Sequence, residues 1–521
     1  MRKFFFFSLL VVLVLAAGRS WPEHVDEGAG GLYARRDALN TYRQVASIVK
    51  ENAAEPVKEN DLLDASLEGM LHHLDPHSNY YTPSAFKDLM EDVEGKFSGL
   101  GMLVAKPTPS SPLLVVSPIP DTPASRAGLR SGDLIMEVDG EPTGKMTTRE
   151  AVRKLKGPAG TDVTIKVSRG GGSAQELTLT RAPIPKYSVP FSFMLNSDVG
   201  YVKINTFGNT TVRELKRHLK SLIRNGAKSV VIDLRDNPGG SLPAAVGVAS
   251  LFLHEGQEVV SVRGRELGMN RVYAADSDGP YTKIPLAVLI NRGSASASEI
   301  VSGCLQDHDR AIIVGERSWG KGLVQTLSPL QRGAVAITTG RYYTPSGRLI
   351  QRDYSHSYDA YFFPDEQPKA EIAKEKKEER PPYVQVAHTD NGRPVYGGGG
   401  IAPDVKVAPY KIPELGLKLE QKRAFLNFMA KQVEKEGLTA KKVESPAFAD
   451  TFKAYLKARE IAITSKGWDQ SAEYIHKALL REYFTMTKGQ GAGFQAMLPL
   501  DLQVQKAEAL MDQQLAEKKA S

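Results

Sequence analysis

The strongest constraint on the fold is a set of almost fully apolar segments that alternate with amphipathic ones. Uninterrupted apolar runs of this length are typical of strands buried on both faces of a sheet. Between the apolar segments at 199–204 and 229–234, Leu215 and Leu219 belong to an apolar stripe with helical spacing that ends at Gly226. Strands and helices in alternation predict an α/β core with a mainly parallel sheet covered on both faces. The apolar segments are VGYVKI (199–204), SVVIDL (229–234), LAVLI (286–290) and AIIV (311–314).

The segments before and after this core have different sequence patterns. Residues 32–96 carry apolar side chains at three- and four-residue spacing, which predicts an N-terminal helical domain. Residues 97–182 contain short β-type runs divided by glycine and proline, with one short helix at 148–155, and predict a small β-rich domain. The core extends over 183–411 and includes a charged insertion at 353–396, and 412–521 is predicted to be a helical C-terminal region.

The N-terminus has the pattern of a secretory signal. Arg2 and Lys3 precede an apolar run from Phe4 to Ala17, and small residues follow. A run of about 14 residues is too short to cross a bilayer comfortably as a helix. We therefore expect a signal peptide at 1–20 and export to the bacterial periplasm or the extracytoplasmic side of the membrane. The alternatives are an uncleaved N-terminal membrane anchor and a buried core strand.

Charge and cysteine content exclude some classes of function. The net charge is +7 and the pI about 9.0, but the charges are dispersed, and the densest run, at 369–380, mixes both signs. This pattern argues against nucleic-acid binding. The single cysteine, Cys304, lies in an apolar helical stretch and is expected in the core. There is no HExxH motif and no dense His/Cys cluster, so no metal and no cofactor is predicted.

The segment NRGSASASE at 291–299 places three serines where the strand LAVLI passes into a helix. The free backbone N–H groups of a helix N-terminus can stabilise an oxyanion, although a serine there is ordinarily a helix cap. A nucleophilic serine also needs a base. His308 lies about three turns along the same helix, roughly 18 Å away, which is too far. Lys321, which follows the strand AIIV, can act as a base if burial lowers its pKa.

Two other motifs in the chain are misleading. Residues 315–321 match G-x-x-x-x-G-K, but Gly322 stands where a phosphate-binding loop needs a hydroxyl for magnesium. Residues 47–50 spell S-x-x-K, but the companion motifs of penicillin-interactive enzymes are absent and the segment is part of an amphipathic helix. Neither a nucleoside triphosphatase nor a penicillin-interactive enzyme is therefore expected.

An ordered set of motifs gives the chain a resemblance to the carboxyl-terminal processing proteases, tail-specific serine peptidases of family S41 with a PDZ domain. The motifs occur in the family's order and span about 75–405. They are LDPHS (74–78), FSGLGM (97–102), SPIPDTPASRAGLRSGDLIMEVDG (117–140), DLRDNPGG (233–240), NRGSASASE (291–299), GERSWGKGLVQ (315–325), YYTPSGRLIQ (342–351) and GGIAPDV (399–405).

The resemblance implies a role for each matching site residue. Ser296 matches the nucleophile, Lys321 the general base, and Gln325 a residue that orients the lysine. The N–H of Ala297 would supply one oxyanion donor. A glycine of DLRDNPGG would supply the second, either Gly239 or Gly240, because Pro238 has no N–H.

The β-rich domain resembles a PDZ domain, in which a peptide adds to a sheet edge and its carboxylate is bound by backbone amides. The segment Gly99, Leu100, Gly101 and Met102 matches that loop, with a simple tight turn as the alternative. The implied function is that of an exported serine endopeptidase that binds the exposed apolar C-terminal tail of a protein substrate and cleaves through a Ser/Lys acyl-enzyme. The alternatives are a non-catalytic PDZ adaptor or chaperone, and a serine hydrolase with a non-peptide substrate.

Overall fold

The computed structural model describes residues 13–15, 29–355, 361–362, 385–433, 435 and 437–520. Most of the predicted signal peptide and much of the charged insertion therefore lie outside the described residues. The first part is largely helical, as predicted for 32–96. The helix at 83–94 begins at Thr82, whose hydroxyl accepts from the N–H of Ala85, and ends at Gly95 in a left-handed conformation. Its elements are β1 (Leu13–Leu15), α1 (Ala29–Asn52), α2 (Glu59–His72), β2 (Asn79–Tyr81) and α3 (Pro83–Glu94).

The next part is an antiparallel β domain with one main helix. Its sheet has the strand order β4-β5-β6-β8-β9, with β7 paired to β6, while β3 pairs separately with β10 where the chain enters and leaves the domain. Side chains of β5 alternate, because Leu113 and Val115 lie in the domain's own core and Leu114 and Val116 pack outward. The elements are β3 (Lys96–Gly99), β4 (Met102–Ala105), β5 (Leu113–Pro118), α4 (Pro123–Arg126), β6 (Leu134–Val138), β7 (Glu141–Pro142), α5 (Thr148–Leu155), β8 (Asp162–Ser168), β9 (Gln175–Thr180) and β10 (Ala182–Pro185).

The α/β core contains the predicted parallel sheet. Its strand order is β11-β12-β13-β16-β17-β22, and every pair after the antiparallel β11–β12 pair is parallel. The elements are β11 (Ser192–Met194), β12 (Val199–Lys203), α6 (Thr211–Arg224), β13 (Ser229–Asp233), α7 (Leu242–Ser250), β14 (Glu258–Gly264), β15 (Arg271–Ala274), β16 (Leu286–Ile290), α8 (Ala297–Asp307), β17 (Ile312–Gly315), β18 (Leu323–Pro329), β19 (Ala334–Tyr343), β20 (Val386–His388), β21 (Pro394–Tyr396) and β22 (Val405–Lys406).

Helices cover both faces of this sheet, which explains why its strands are apolar throughout. Val230 and Ile232 of β13 pack with α6, α7 and α8, whereas Val231 of the same strand packs on the opposite face. That opposite face is covered by the last helix of the chain, through Ala507 and Met511. The C-terminal elements are α9 (Glu414–Gln421), α10 (Ala424–Val433), α11 (Ala440–Val443), α12 (Pro446–Lys457), α13 (Ser465–Lys488), α14 (Gln490–Met497) and α15 (Leu502–Ala520).

The C-terminal region thus packs in two places. Helices α9 to α14 form an apolar cluster that includes Phe425, Phe428 and Met429 and receives Leu114 and Val116 of β5. Helix α15 and Phe494 of α14 pack against the parallel sheet. The sequence predicts one helical region at 412–521, and its helices in fact join the β domain to the α/β core.

A second sheet lies next to the parallel one and has the order β1-β18-β19-β14-β15, with β2 paired to β19. Strand β1, from the predicted signal peptide, pairs in parallel with β18, and Leu13 is opposite Gln325. This sheet positions two of the candidate site residues, because β18 begins two residues after Lys321 and contains Gln325.

Candidate active site

Ser296 lies at the carboxyl edge of the parallel sheet, between β16 and α8. It precedes the first residue of α8 and has a φ of 57° and a ψ of −113°. A positive φ is uncommon for a residue other than glycine and is maintained only where surrounding contacts enforce it. The turn therefore presents one serine in a fixed, strained conformation at the helix N-terminus.

Hydrogen bonding distinguishes the three serines of the motif. The hydroxyl of Ser294 donates to the carbonyl of Leu234 at 2.8 Å, and that of Ser298 donates to the carbonyl of Asn237 at 2.8 Å. The hydroxyl of Ser296 is buried and has no hydrogen-bond partner among the residues that the structure describes. A buried polar group without a partner is costly, so such a group is a candidate for chemistry. The Ser296 side chain does not cap its helix, contrary to the ordinary role of serine at this position.

Lys321 is the buried amine of the site. Its side chain is 1% exposed, and its Nζ donates to Oε1 of Gln325 at 2.9 Å. No carboxylate lies within ion-pair distance of Nζ among the described residues. Burial is the main cause that lowers the pKa of Lys321 from 10.5 to about 7, and the more distant charges of Asp75 and Glu299 partly oppose it. The lysine is therefore neutral in a substantial fraction of molecules near neutral pH.

Gln325 is held in place by a tight turn from the N-terminal part of the chain. Its Nε2 donates to the carbonyl of His77, and its Oε1 accepts from Lys321. Asp75 fixes that turn by accepting from the backbone N–H groups of His77 and Ser78 at 2.8 and 2.9 Å. These contacts account for the LDPHS motif, to which the sequence analysis assigns no role.

His77 also connects the site to the insertion. Its Nε2 lies 2.8 Å from the hydroxyl of Tyr361, and the two rings meet edge to face. Burial and the nearby charge of Lys321 lower the pKa of His77 well below its usual value, so the ring is neutral. Tyr361 lies in the predicted insertion, 284 residues from His77, and no local sequence signal points to this contact.

Glu299 joins the serine turn to the lysine loop. One carboxylate oxygen accepts from the N–H of Ser296 at 2.8 Å and from the N–H of Lys321 at 2.9 Å. The other accepts from the Ser318 hydroxyl at 2.5 Å and the N–H of Gly320 at 2.7 Å. Burial raises the pKa of Glu299, while these four donors oppose the rise. The final residue of SASASE is thus a positioning residue that the sequence analysis leaves without a role.

The proposed oxyanion donors lie around Ser296. The N–H of Ala297, at the first position of α8, has no acceptor among the described residues. The backbone of Gly239 packs against Ser296, since a Cβ added there would lie 2.8 Å from the Cβ of Ser296. Its N–H donates to Oδ1 of Asn237 at 2.9 Å, whereas the N–H of Gly240 donates to no atom of the described chain. Gly239 is thus the glycine in contact with the serine, and Gly240 is the one whose N–H is unengaged.

No hydrogen bond joins Ser296 to Lys321 in this structure. Oγ of Ser296 is without a partner, and the hydrogen bond of Lys321 Nζ goes to Gln325. The backbones of both residues are nevertheless held by one carboxylate oxygen. Catalytic hydrogen bonds are often long in the absence of substrate, so the lack of this hydrogen bond does not exclude a Ser/Lys pair.

The misleading motifs have structural roles elsewhere. The N–H groups of Gly320 and Lys321 bind the carboxylate of Glu299 instead of a phosphate. Ser47 lies on the exposed helix α1 and donates to Glu51. His308 ends α8 and contacts the Asp390 side chain and the carbonyl of Glu258.

Cys304 is fully buried in the apolar cluster above the parallel sheet, as predicted. Within the described ranges, no group of His, Cys, Asp and Glu is arranged to hold a metal ion. A search of those same ranges finds no helix with the length and apolar character needed to cross a bilayer.

In the loop of the β domain that is expected to bind a carboxylate, the carbonyls of Leu100 and Gly101 accept hydrogen bonds, whereas their N–H groups donate none within the described chain. The carbonyl of Leu100 accepts from the N–H of Ala124, and that of Gly101 accepts from Ile119 and from the Thr122 hydroxyl. The N–H groups of Leu100 and Gly101 have no acceptor among the described residues. Strand β4, which follows, pairs with β5 only, so its other edge is open on the described chain. Free amides beside an open strand edge suit an added peptide strand that ends in a carboxylate.

Comparisons with known proteins give matches to both the α/β core and the β domain. Residues 198–356 match the model of peptidase family S41, and residues 114–169 match a PDZ domain model. The chain is 40% identical over 326 residues to a carboxy-terminal-processing protease of Bartonella bacilliformis, covering 60% of this chain and 74% of that protein. It is 31% identical over 387 residues to the carboxy-terminal processing protease CtpA of Bacillus subtilis, covering 74% and 77% of the two chains.

A solved structure of a photosystem II D1 C-terminal processing protease is also similar, with 26% identity, a TM-score of 0.36, and coverage of 72% of this chain and 93% of that one. The relatives from Bartonella and Bacillus are matched over most of their length, and the family and PDZ models fall on the α/β core and the β domain. The chain therefore belongs to peptidase family S41, the carboxy-terminal processing proteases, and is a serine-type peptidase with a PDZ domain that acts on protein substrates.

Proposed function

We propose that Ser296 and Lys321 are the catalytic pair of this peptidase and that Gln325 orients the lysine. The observation that carries the proposal is a buried serine hydroxyl without a partner, next to a loop whose lysine has a pKa of about 7. The shared carboxylate of Glu299 fixes the two backbones relative to each other. An amine that is neutral near pH 7 can accept the proton of a serine hydroxyl.

The reaction is acyl transfer in two halves. Neutral Nζ of Lys321 takes the hydroxyl proton of Ser296 as Oγ bonds to the substrate's carbonyl carbon, and the carbonyl π pair moves to oxygen. The N–H of Ala297 and that of Gly239 or Gly240 stabilise this oxyanion. The C–N bond then breaks, and the ammonium of Lys321 returns its proton to the leaving amine. Water, deprotonated by the same lysine, attacks the ester and regenerates the serine.

We propose that the PDZ domain selects substrates by an exposed apolar C-terminus. The free amides of Leu100 and Gly101 would bind the terminal carboxylate, and the segment from Gly99 to Met102 would lead the peptide onto the edge of β4. This division of labour places recognition in one domain and cleavage in another. Nucleic acid is not among the proposed partners, because the basic residues are dispersed along the sequence.

A pair of peptides tests recognition and cleavage together. One has an apolar free C-terminus, and its twin is amidated at that end. We expect faster hydrolysis of the free acid, no hydrolysis by Ser296→Ala or Lys321→Ala, and retained binding of the free acid by both variants. Equal hydrolysis of the two peptides would contradict tail recognition, and activity in Lys321→Ala would contradict the catalytic pair. Tail binding without hydrolysis by the unmodified chain would favour the adaptor alternative.

We further propose that the chain is exported through its N-terminal signal. The support is the basic start, the short apolar run and the small residues that follow. The test is fractionation of cells that produce the full chain, with mass spectrometry of its N-terminus. Loss of about the first 20 residues in a periplasmic or extracytoplasmic product is expected. A full-length cytoplasmic product would contradict export, and a full-length membrane-bound one would identify an anchor.

A further inference from the structure

A cavity of about 400 Å³ lies where the PDZ domain meets the C-terminal helices. Its PDZ wall is made by the end of β4, at Val104 and Ala105, and by Thr148, the first residue of α5. Its other wall comes from Glu420 and Arg423, at the junction of α9 and α10, and from Glu482 of α13. The cavity is thus formed jointly by two parts of the chain that are far apart in sequence.

This cavity continues the proposed tail-binding edge. A peptide bound by its carboxylate at Leu100 and Gly101 would run antiparallel to β4, from Met102 toward Ala105. At about 3.4 Å per residue along a strand, its third to fifth residues from the C-terminus would reach the cavity. The cavity therefore lies where the part of a substrate tail upstream of its last residues would emerge from the PDZ groove.

The charged residues around the cavity differ in whether they form ion pairs. Glu420 and Glu482 both pair with Arg481, at 3.0 and 2.6 Å, and Glu420 also accepts from the Tyr474 hydroxyl. Arg423 is exposed, and its guanidinium donates to the carbonyl of Lys106 at 2.8 Å. No carboxylate lies within ion-pair distance of Arg423 among the described residues. Arg481 thus offsets one of the two negative charges, and Arg423 is the guanidinium at the mouth of the cavity that pairs with no carboxylate of the described chain.

The backbone holds Arg423 in this place. Its φ is 51°, its N–H donates to the carbonyl of Glu420 at 2.8 Å, and its carbonyl accepts from the N–H of Asn427 at 3.0 Å. Nδ2 of Asn427 in turn donates to the carbonyl of Pro107, just beyond β4. The helix junction is therefore fastened to the end of the PDZ strand, and the position of the guanidinium relative to the groove is fixed.

We propose that Arg423 is a specificity-determining residue that binds an acidic side chain three to five residues before the substrate's C-terminus. This inference rests on the proposed recognition of tails by the PDZ domain and adds a second requirement to it. The C-terminal helices would then be part of the substrate-binding surface as well as a support for the PDZ domain. A substrate tail would be selected by its apolar free end and by an acidic residue upstream.

The test is binding of labelled tail peptides to the full chain carrying Ser296→Ala, measured by fluorescence anisotropy. The peptides share one apolar free C-terminus and carry Glu, Gln or Lys at the third, fourth or fifth residue from the end. Exposed ion pairs contribute modestly, so we expect Glu to bind roughly three- to fivefold more tightly than Lys at one of these positions. Arg423→Gln should abolish that preference, and Arg423→Glu should reverse it.

Lys422→Glu is the matched control, because it makes the same change in net charge at the neighbouring residue, which does not line the cavity. It should leave the preference for Glu intact, and thermal denaturation of each variant verifies folding. Equal affinity for the Glu and Lys peptides, or a preference that Lys422→Glu reverses as strongly as Arg423→Glu, would overturn the role of Arg423. If free and amidated peptides bind equally, the proposed tail recognition fails, and this inference fails with it.

Discussion

Replacing Lys321 by methionine should abolish peptidase activity and at the same time stabilise the folded protein near neutral pH. The lysine is 1% exposed, and burial lowers its pKa from 10.5 to about 7. Between these two values the unfolded chain binds more protons at this site than the folded chain. The stability of the unmodified protein relative to the variant therefore rises with pH across that window.

The magnitude follows from the two pKa values. Burying the lysine costs about 4 kcal/mol of unfolding free energy at pH 7, about 2 kcal/mol at pH 9, and little above pH 10.5. Methionine removes this cost but leaves Oε1 of Gln325 without its donor, which costs about 1–3 kcal/mol at any pH. The variant should thus be about 1–3 kcal/mol more stable at pH 7. Its advantage should fall by about 2 kcal/mol between pH 7 and pH 9, whatever the lost hydrogen bond is worth.

Urea denaturation followed by tryptophan fluorescence at both pH values measures this difference, with unchanged m-values as the check that the same transition is compared. Ser296→Ala is the control, because we expect it to be equally inactive while it leaves the buried amine in place. Its stability should parallel that of the unmodified chain at both pH values. A methionine variant whose stability difference does not change between pH 7 and pH 9 would refute the lowered lysine pKa.

Three further predictions concern the rate, the positioning of the site and the PDZ loop. The value of kcat/KM should rise with pH through about 7, since only neutral Lys321 can accept a proton, and a rate that falls across this range would contradict its role as the base. Glu299→Gln should lower kcat by about ten- to a hundredfold through misplacement of the serine and lysine. In the same variant, the rise of kcat/KM should occur at lower pH, because the charge of Glu299 raises the pKa of Lys321. A pH profile that does not shift would indicate that Glu299 acts on the rate only through packing. Gly101→Ala should weaken tail binding at least about tenfold, because φ is 81° and the new Cβ would lie 2.4 Å from Cβ of Thr122. Gly128→Ala is its control, with a φ of 75° and open space around the Cβ, and equal losses of affinity in the two variants would show that the loop geometry is not the cause.

Local pattern predicted the fold where burial on each face is visible in the sequence. The strand at 229–233 is apolar throughout because alternate residues, such as Val230 and Val231, pack against helices on opposite faces of the sheet. The short run LLVV at 113–116 has the same cause, since Leu113 lies in the PDZ core and Leu114 packs against the C-terminal helices. A fully apolar strand indicates that both faces are covered, but it does not identify what covers them.

The sequence therefore does not predict which elements of the chain pack against these strands. The helix on the second face of the parallel sheet comes from the end of the chain, and its contacts with the core include an ion pair between Arg235 and Asp501 at 2.8 Å, while Arg235 also pairs with Asp233. A charged residue in DLRDNPGG resembles any surface arginine when read along the chain. Only the fold shows that it fastens the last helix to the glycine turn next to Ser296.

In the candidate active site, too, some features follow from neighbouring residues in the sequence and others depend on contacts between distant parts of the chain. A nucleophile at a helix N-terminus is a local pattern, and so is a lysine four residues before Gln325. The groups that make the lysine usable are not local, because His77 reaches Gln325 across 248 residues and Tyr361 reaches His77 across 284. Glu299 is near Ser296 in sequence, but its function requires the Lys321 loop to fold over its carboxylate. The lowered pKa of Lys321 thus depends on burial by segments that are far apart in sequence, and a motif can point to a candidate base without explaining why its pKa is lowered.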